Sequence, residues 1–327
     1  MELDALVKAI RTFPGITRKH TIQDVVKFLP TSSFVNVAAS EGEDAAALEF
    51  GDNYILFAAD GIMESLLKTN PYYAGYFAVL VNVNDIAAMG GKPLAMVDII
   101  SVKNDRICSQ MLKGMERAVR KFNVPIVGGH THPDCEYHAI DISIVGTVPK
   151  DQIILSSTAR PGDDIVFVMD TDGFYPPELP YAFDTTTDKE DELVQKQMDM
   201  MCTIAAEKLA HAAKDMSNPG SIGTMGMLLE SSGKGGYIDV DKIPRPKDVK
   251  DFTQWILAYQ GCGFVFSCDP KNSQRIIDLF KTVKCDGAVV GKVDDSTILR
   301  LRSGDKESVL FDFSKDIITG CNPNKNK

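Results

Sequence analysis

Four aspartates stand beside apolar runs, and this recurrence constrains the chain more than any other feature. Asp44 follows Gly42-Glu43 and precedes Ala45-Ala46. Asp60 closes the run Tyr54-Ile55-Leu56-Phe57-Ala58-Ala59. Asp85 lies inside Asn82-Val83-Asn84-Asp85-Ile86-Ala87-Ala88-Met89-Gly90-Gly91, and Asp215 inside Lys214-Asp215-Met216-Ser217-Asn218-Pro219-Gly220. Carboxylates flanked by Ala, Val, Ile and Met are costly to bury without partners. Hard divalent cations take oxygen ligands of this kind, and magnesium is commonly shared between a few carboxylates and substrate phosphates. The layout predicts a metal–nucleotide site assembled from segments far apart in sequence. Taken singly, each aspartate also reads as a helix cap or a solvated turn residue. Asp60 and Asp85 are the stronger cases because their flanks are so apolar.

The 327 residues suffice for two domains, and an apolar fraction of 44% is that of a globular chain. A formal charge of −10 gives no basic surface for nucleic acid. Seven cysteines are scattered without a CxxC pair, which fits a reducing cytosol. Met1-Glu2-Leu3-Asp4 lacks the basic and apolar regions of a signal peptide, and no apolar run reaches the length of a membrane span. A cytoplasmic protein is expected.

Periodicity predicts alternating helices and strands. Residues 1–38 read as a partly helical leader, with Leu6, Val7 and Ile10 at helical spacing and Thr17–His20 as a basic loop. Tyr54–Ala59 reads as a buried strand. Asn70 caps a helix with Pro71 at its first position, running to Met89 and stopping at Gly90-Gly91. Leu94–Val102 is a second buried strand containing Asp98. Cys108–Phe122 is an amphipathic helix with Met111, Leu112, Met115, Ala118, Val119 and Phe122 on one side. Val124–Val127 is a short strand ending at Gly128-Gly129, and Ala139–Val148 another. Beyond Pro161-Gly162 come strand Ile165–Met169, a long helix from about Asp191 to Asp215, helix Ser221–Ser231, a strand starting at Tyr237-Ile238, strand Phe264–Phe266, helix Ser273–Val283 and strand Ala288–Val293. The domains are set at 1–158 and 159–321, with a disordered polar tail at 322–327.

No phosphate-binding P-loop sequence and no protein-kinase motif set is present. Gly220-x-x-Gly223-x-x-Gly226 lacks the context of a dinucleotide fingerprint and reads equally as a closely packed helix start. Gly128-Gly129-His130-Thr131-His132-Pro133-Asp134-Cys135 holds potential zinc ligands, but no second cluster has matching spacing. It reads instead as a strand-to-loop turn whose glycines let the backbone approach a ligand, with His130 projecting into the site.

The order of these blocks resembles the PurM-like superfamily. The blocks are Gly42–Ala46, Ala58-Ala59-Asp60-Gly61, Asn84–Pro93, Val127–Thr131, Pro161-Gly162-Asp163 and Lys214–Gly220. The superfamily includes aminoimidazole ribonucleotide (AIR) synthetase, thiamine monophosphate kinase, selenophosphate synthetase and a hydrogenase maturation protein. Ala59–Gly61, Val81–Asp85, His130–Asp134 and Asp184-Thr185-Thr186-Thr187 further resemble the AIR synthase-related branch called methanogenesis marker protein 2, which implies a methanogenesis-associated role. The resemblance implies an α/β fold of two domains. The N-terminal sheet would pair with its twin across a homodimer, and the C-terminal α/β domain would cover the nucleotide. It also implies ATP and Mg2+ as cofactors, with Asp44, Asp60, Asp85 and Asp215 as metal-binding residues. Gly128 and Gly129 would face the nucleotide, joined by Gly42, Asn84 and Lys92, and Asp215, His130 and Lys19 are the candidate catalytic residues. Lys19, Lys92 and Lys214 are candidates for phosphate contacts, each readable as a plain surface lysine.

The chain departs from its relatives in specific places. Gly129-His130 stands where thiamine monophosphate kinases carry Gly-Gly-Asp. Met216-Ser217-Asn218-Pro219 replaces their Ser-Asp-Gly-Leu, and no cysteine precedes Lys19. The expected activity is ATP- and magnesium-dependent phosphoryl transfer to a small-molecule acceptor, or activation of a carbonyl oxygen as an iminophosphate. The alternatives are a non-catalytic ATP-binding assembly or maturation factor acting with a protein partner, and a purely structural protein.

Overall fold

The computed structural model describes residues 2–29 and 36–322. Three short helices come first: α1 (Leu3–Thr12), α2 (Pro14–Thr17) and, after a 3-10 turn at Arg18–Thr21, α3 (Ile22–Phe28). The first sheet unit contains β1 (Val37–Ala39), β2 (Ala46–Phe50), β3 (Asn53–Gly61), α4 (Glu64–Thr69), α5 (Pro71–Ala88), β4 (Lys92–Ser101), α6 (Asp105–Phe122), β5 (Ile126–Thr131) and β6 (Ala139–Pro149). The second contains β7 (Asp164–Met169), β8 (Ala182–Phe183), α7 (Asp191–Ala206), β9 (Ala212–Asp215), α8 (Gly220–Ser232), β10 (Gly235–Asp239), α9 (Phe252–Leu257), β11 (Tyr259–Gln260), β12 (Gly263–Cys268), α10 (Pro270–Thr282), β13 (Asp286–Asp294), β14 (Ile298–Ser303) and β15 (Lys306–Asp312).

The first sheet has the order β1-β2-β3-β6-β4-β5, antiparallel except between β4 and β5. The second has the order β15-β14-β10-β13-β7-β12-β9, antiparallel except between β10 and β14. A small parallel ribbon joins β8 to β11. This is the two-domain α/β architecture with mixed sheets that the sequence led us to expect.

Helix α5 lies at the centre of the molecule. Asn70 accepts a hydrogen bond from Tyr73 N (3.4 Å) and Pro71 opens the helix, while Gly90 ends it in the left-handed region at φ +74°. Thirteen of its eighteen residues are buried, because it packs on β3 and β6 on one side and on β9 and α7 on the other. A helix buried all round reads as near-continuously apolar rather than amphipathic. The polar residues within it are correspondingly informative. Tyr76 donates its hydroxyl to Thr186 (2.9 Å), whose turn is held by backbone N–H groups of Thr186 and Thr187 on Asp184. The Asp184–Thr187 motif thus fastens the second domain to α5.

Strand β7 is buried on both faces. Val166 and Val168 share a core with α5, α6, α7 and α10, and Ile165, Phe167 and Met169 share one with α8 and α1. The first sheet is different. Its outer face leaves Phe57, Leu94, Val97 and Ile99 roughly half exposed.

Several sequence expectations are corrected. The helix placed at 191–215 ends at Ala206, and Asp215 closes strand β9. Lys208 adopts φ +53° and the chain reverses there to enter the second sheet. Thr17–His20 is helical turn, not loop. Leu112 is 45% exposed and off the buried side of α6. Strand β5 runs through Gly128-Gly129 to Thr131 rather than stopping at them, because β4 continues to pair with it. The leader, grouped with the first domain by chain order, packs on the second: Leu3, Leu6, Ile10 and Ile16 enter its core, and Arg11 forks onto Asp316 at 2.8 and 2.9 Å. Asn322, placed in the tail, is buried with Nδ2 near Phe313 O (3.4 Å), and 323–327 lie outside the described residues.

Helices α5 and α6 cross where both carry glycine. A Cβ on Gly75 would sit 2.0 Å from Met111 O, and one on Gly114 1.9 Å from Tyr72 O. Overpacking of this kind typically costs about 1–3 kcal/mol. Gly75→Ala or Gly114→Ala is expected to lower the urea midpoint accordingly, whereas Gly304→Ala, whose Cβ meets nothing, should cost only the strain of its φ of +54°. Equal midpoints for wild type, G75A and G114A would rule out the close crossing.

Candidate functional site

One face of α5 carries Phe77, Leu80, Val81, Asn84 and Asp85, spaced by three and four residues and therefore aligned. This stripe walls a cavity of about 460 Å³ between the two domains. The end of β3 contributes Asp60, the loop before β2 contributes Gly42, Glu43 and Asp44, and the end of β9 contributes Lys214 and Asp215. The 3-10 turn of the leader brings Arg18 and Lys19 to the rim. Among the sequence-predicted residues, Lys19, Gly42, Asp44, Asp60, Asn84, Asp85 and Asp215 meet here. Carboxylate oxygens of Asp44, Asp85 and Asp215 lie within 4.8 Å of one another.

The Asp44 loop is held from several sides. Gly42 adopts φ +93°, and a Cβ on it would meet Cys321 Cβ at 2.9 Å. Its carbonyl accepts from Ser156 Oγ (2.9 Å) and from Lys214 Nζ (3.2 Å), and Glu43 accepts from Ser156 N. Lys214 is 5% exposed and donates to the Asp44 carboxylate, so the plain-surface reading of this lysine is corrected. Asn84 donates to Gly261 O (3.3 Å), tying the Asp85 turn of α5 to the second domain. Asp44 Oδ2 and Asn84 Oδ1 are buried without a hydrogen-bond partner among the described residues.

Clustered acids in a recess titrate abnormally. Desolvation pushes Asp85 well above the carboxylate range, reinforced by Asp60, Asp215 and Asp44. Asp215 is raised to about 8 by desolvation and by Asp44, with Lys214 opposing. Desolvation also raises Asp44 against the pull of Lys214, and it raises Asp60, which stays open to solvent at the cavity wall. Burial pushes Lys214 down, but Asp44, Glu43 and Asp215 outweigh it and hold the ammonium above its usual value. Oxygen donors of this density, with an orphaned carboxylate oxygen among them, suit a hard divalent cation.

Lys92, Gly128, Gly129 and His130 do not line this cavity within one chain. Lys92 opens β4 and is exposed, and the others lie on the edge strand β5. Gly129 is required by packing, since a Cβ there would sit 1.9 Å from Asp98 Oδ1. It shares a cross-strand row with Asp98, Ile142 and Asp60. The His130 ring stands edge-on to His132 with centroids 4.6 Å apart. Sequence reasoning missed Phe77, Arg18 and Tyr259 as cavity residues. Phe77 was detectable by extending the helical stripe back from Asp85. Tyr259, whose hydroxyl burial pushes up to about 12, carried no signal because it reaches the cavity only through the β8–β11 ribbon.

Fold and site together define a PurM-like protein. The AIR synthase related N-terminal domain matches residues 42–148 and the AIR synthase related C-terminal domain matches 177–303. The chain belongs to this family. It is 45% identical to an uncharacterized protein of Methanocaldococcus jannaschii, covering 98% of this chain and 100% of that one. It is 24% identical to the phosphoribosylformylglycinamidine cyclo-ligase of Methanococcus maripaludis, over 86% of this chain and 89% of the relative. Among solved structures, Thermotoga maritima PurL complexed with ATP superposes with TM-score 0.74 at 18% identity. That match covers 93% of this chain and 49% of PurL, so the chain spans about half of that protein. Among the described residues no helix is long and apolar enough to cross a membrane.

The raised carboxyls fix the sign of a pH effect. With Asp215 at about 8, the folded protein holds protons that the unfolded chain has released. Their stabilisation is complete below the unfolded carboxyl range and is lost as pH rises through the folded value. Without divalent cations, the melting temperature is therefore expected to fall between about pH 5 and pH 8, and magnesium, competing with those protons, to restore more stability at the upper end. Asp215→Asn should flatten both trends in thermal melts. An unchanged slope in that variant would contradict the site's electrostatics.

Proposed function

We propose that this protein is an ATP- and magnesium-dependent enzyme that transfers a phosphoryl group to an oxygen of a small acceptor, or activates that oxygen by phosphorylation. The supporting observation is the convergence of Asp44, Asp60, Asp85 and Asp215, from four separate segments, on one interdomain cavity. Asp44, Asp85 and Asp215 would hold magnesium, with Asp60 at the wall completing the set. Bound magnesium would neutralise phosphate charge and fix the triphosphate in line with its acceptor.

The remaining roles belong to the chain's own side chains. Lys214 locks Asp44 in place through an ion pair and a second bond to the Gly42 carbonyl. Lys19 and Arg18, at the rim, meet incoming phosphate charge. Asp215 bears a proton at neutral pH until a cation displaces it, so loading the site with magnesium would release that proton. Asn84 orients the Asp85 turn.

Gly128, Gly129, His130 and Lys92 enter this reading through the sheet. Gly129 shares a cross-strand row with Asp60 on the covered face of the sheet, whereas His130 pairs with Ile99 on the outer face. The half-exposed Phe57, Leu94, Val97 and Ile99 support pairing with a second copy over this face, which would bring His130 of one protomer toward the shared site.

Ligand-induced stabilisation tests the reading. An ATP analogue with magnesium at about 100 times Kd should add about 2.7 kcal/mol. Asp85→Asn should abolish that gain and ATP turnover while leaving the fold intact. Lys214→Met, which frees Asp44, should weaken magnesium-dependent nucleotide binding about 10- to 100-fold. Full ATP turnover by D85N would sink the assignment.

A further inference from the structure

We infer that Glu230 is a positioning residue for the metal-binding loop at Asp44, acting through the segment 318–321 that walls one part of the acidic cavity. The inference rests on the proposed function and extends it to a residue that does not itself line the cavity. Glu230 lies in the last turn of α8, a helix buried from Gly220 to Ser231. A carboxylate in such a place is costly unless donors meet its oxygens. Four donors do, and all of them belong to one short segment. Oε1 accepts from Ile318 N (3.1 Å) and Gly320 N (3.3 Å), and Oε2 accepts from Thr319 N and from Thr319 Oγ1 (2.8 Å each). Three consecutive backbone N–H groups turned onto one anion form a nest. Gly320, at φ +81°, supplies the left-handed residue that this turn requires.

The same segment reaches the site. Thr319 and Cys321 line the acidic cavity. Cys321 packs on the Asp44 loop, since a Cβ on Gly42 would lie 2.9 Å from Cys321 Cβ. Gly320 packs on the leader, since a Cβ there would lie 2.6 Å from Gln23 Cβ, in α3 directly after the turn that brings Arg18 and Lys19 to the rim. The segment is therefore wedged between the loop that carries Asp44 and the leader that carries the two cations. The end of α8 grips that loop by a second route as well. Ser232 Oγ donates to Ser156 O (3.0 Å), and Ser156 Oγ donates to the Gly42 carbonyl (2.9 Å). A displaced segment would let Gly42 move, and with it both acceptors of Lys214, the Gly42 carbonyl and the Asp44 carboxylate. Residues that orient a metal ligand from behind in this way commonly govern metal affinity.

Glu230→Gln tests the inference. Glutamine keeps the shape but turns an NH2 group toward two of the four donors, so it loosens the segment without opening a void. Two quantities are measured on the full-length protein: the rate of alkylation of Cys321 by iodoacetamide, read by peptide mass, and the binding of Mn2+ as a paramagnetic substitute for magnesium. In E230Q, Cys321 should react about tenfold faster and the Mn2+ Kd should rise about tenfold. Ile276→Val, a truncation of a fully buried side chain on α10 away from the cavity lining, should lower the melting temperature and move neither quantity. Thr319→Val deletes one of the four bonds and should move both in the same direction by less; where E230Q does not fold, a T319V protein identical to wild type in both overturns the inference. Cys321 equally protected in E230Q, unchanged Mn2+ affinity in E230Q, or an equal loss of affinity in I276V would each overturn it too. Wild-type protein that binds Mn2+ while E230Q matches it leaves the proposed function standing, whereas wild-type protein that binds no Mn2+ sinks both.

Discussion

The structure turns on placing three carboxylates within 4.8 Å of one another in a recess with one ammonium committed to them. Two unit charges at that separation repel by on the order of 3 kcal/mol at an effective dielectric near 20. Lys214 answers one of them, Asp44. Asp85 and Asp215 have no comparable internal partner, and their carboxyls rise accordingly. Such an arrangement is unfavourable for an isolated chain at neutral pH, and it persists because α5 is fixed by its packing on both sides. Burial of the helix sets the position of Asp85, and the carboxyl adjusts its proton rather than its place.

That dependence explains why the domains meet as they do. Asn84 reaches Gly261, Tyr76 reaches Thr186, and Lys214 reaches across to Asp44 and Gly42. Each bond crosses between the units, and each lies within a few residues of an acid or of the ribbon behind it. Arg117 and Lys121 add ion pairs to Asp191, and the Lys121 ammonium is fully buried. Breaking one partner of such a pair leaves an uncompensated charge, so these contacts fix register even where their net stabilisation is small.

Much of this was legible in the sequence for identifiable reasons. The cap at Asn70-Pro71 and the stop at Gly90 are local signals, and α5 has the limits they imply. Asp44, Asp60, Asp85 and Asp215 could be picked out because apolar residues flank them in the sequence. Other features were set by tertiary contacts. Asp215 was assigned to a helix because Asp191–Ala206 is strongly helical and nothing apolar marks its end; the reversal depends on Lys208 in a left-handed conformation, which a lysine does not advertise. Lys214 looked like a surface residue because its partner lies 170 positions away. The strands β14 and β15 went unread, since their charged alternation resembles loop, although they pair through six positions.

Lys214 also shows why a lysine serves here. Its ammonium is a compact donor that divides itself between the Asp44 carboxylate and the Gly42 carbonyl, leaving Asp44 Oδ2 without a hydrogen-bond partner among the described residues. An arginine fork would engage both carboxylate oxygens and take that oxygen away. Asp85 and Asp215 must then be neutralised from outside the protein's own side chains, by a proton or by a cation. The two compete for the same oxygens, so occupancy by one excludes the other. On the proposed reading, metal entry would release protons from the cluster, and its affinity for a divalent ion would rise with pH until both carboxyls are ionised.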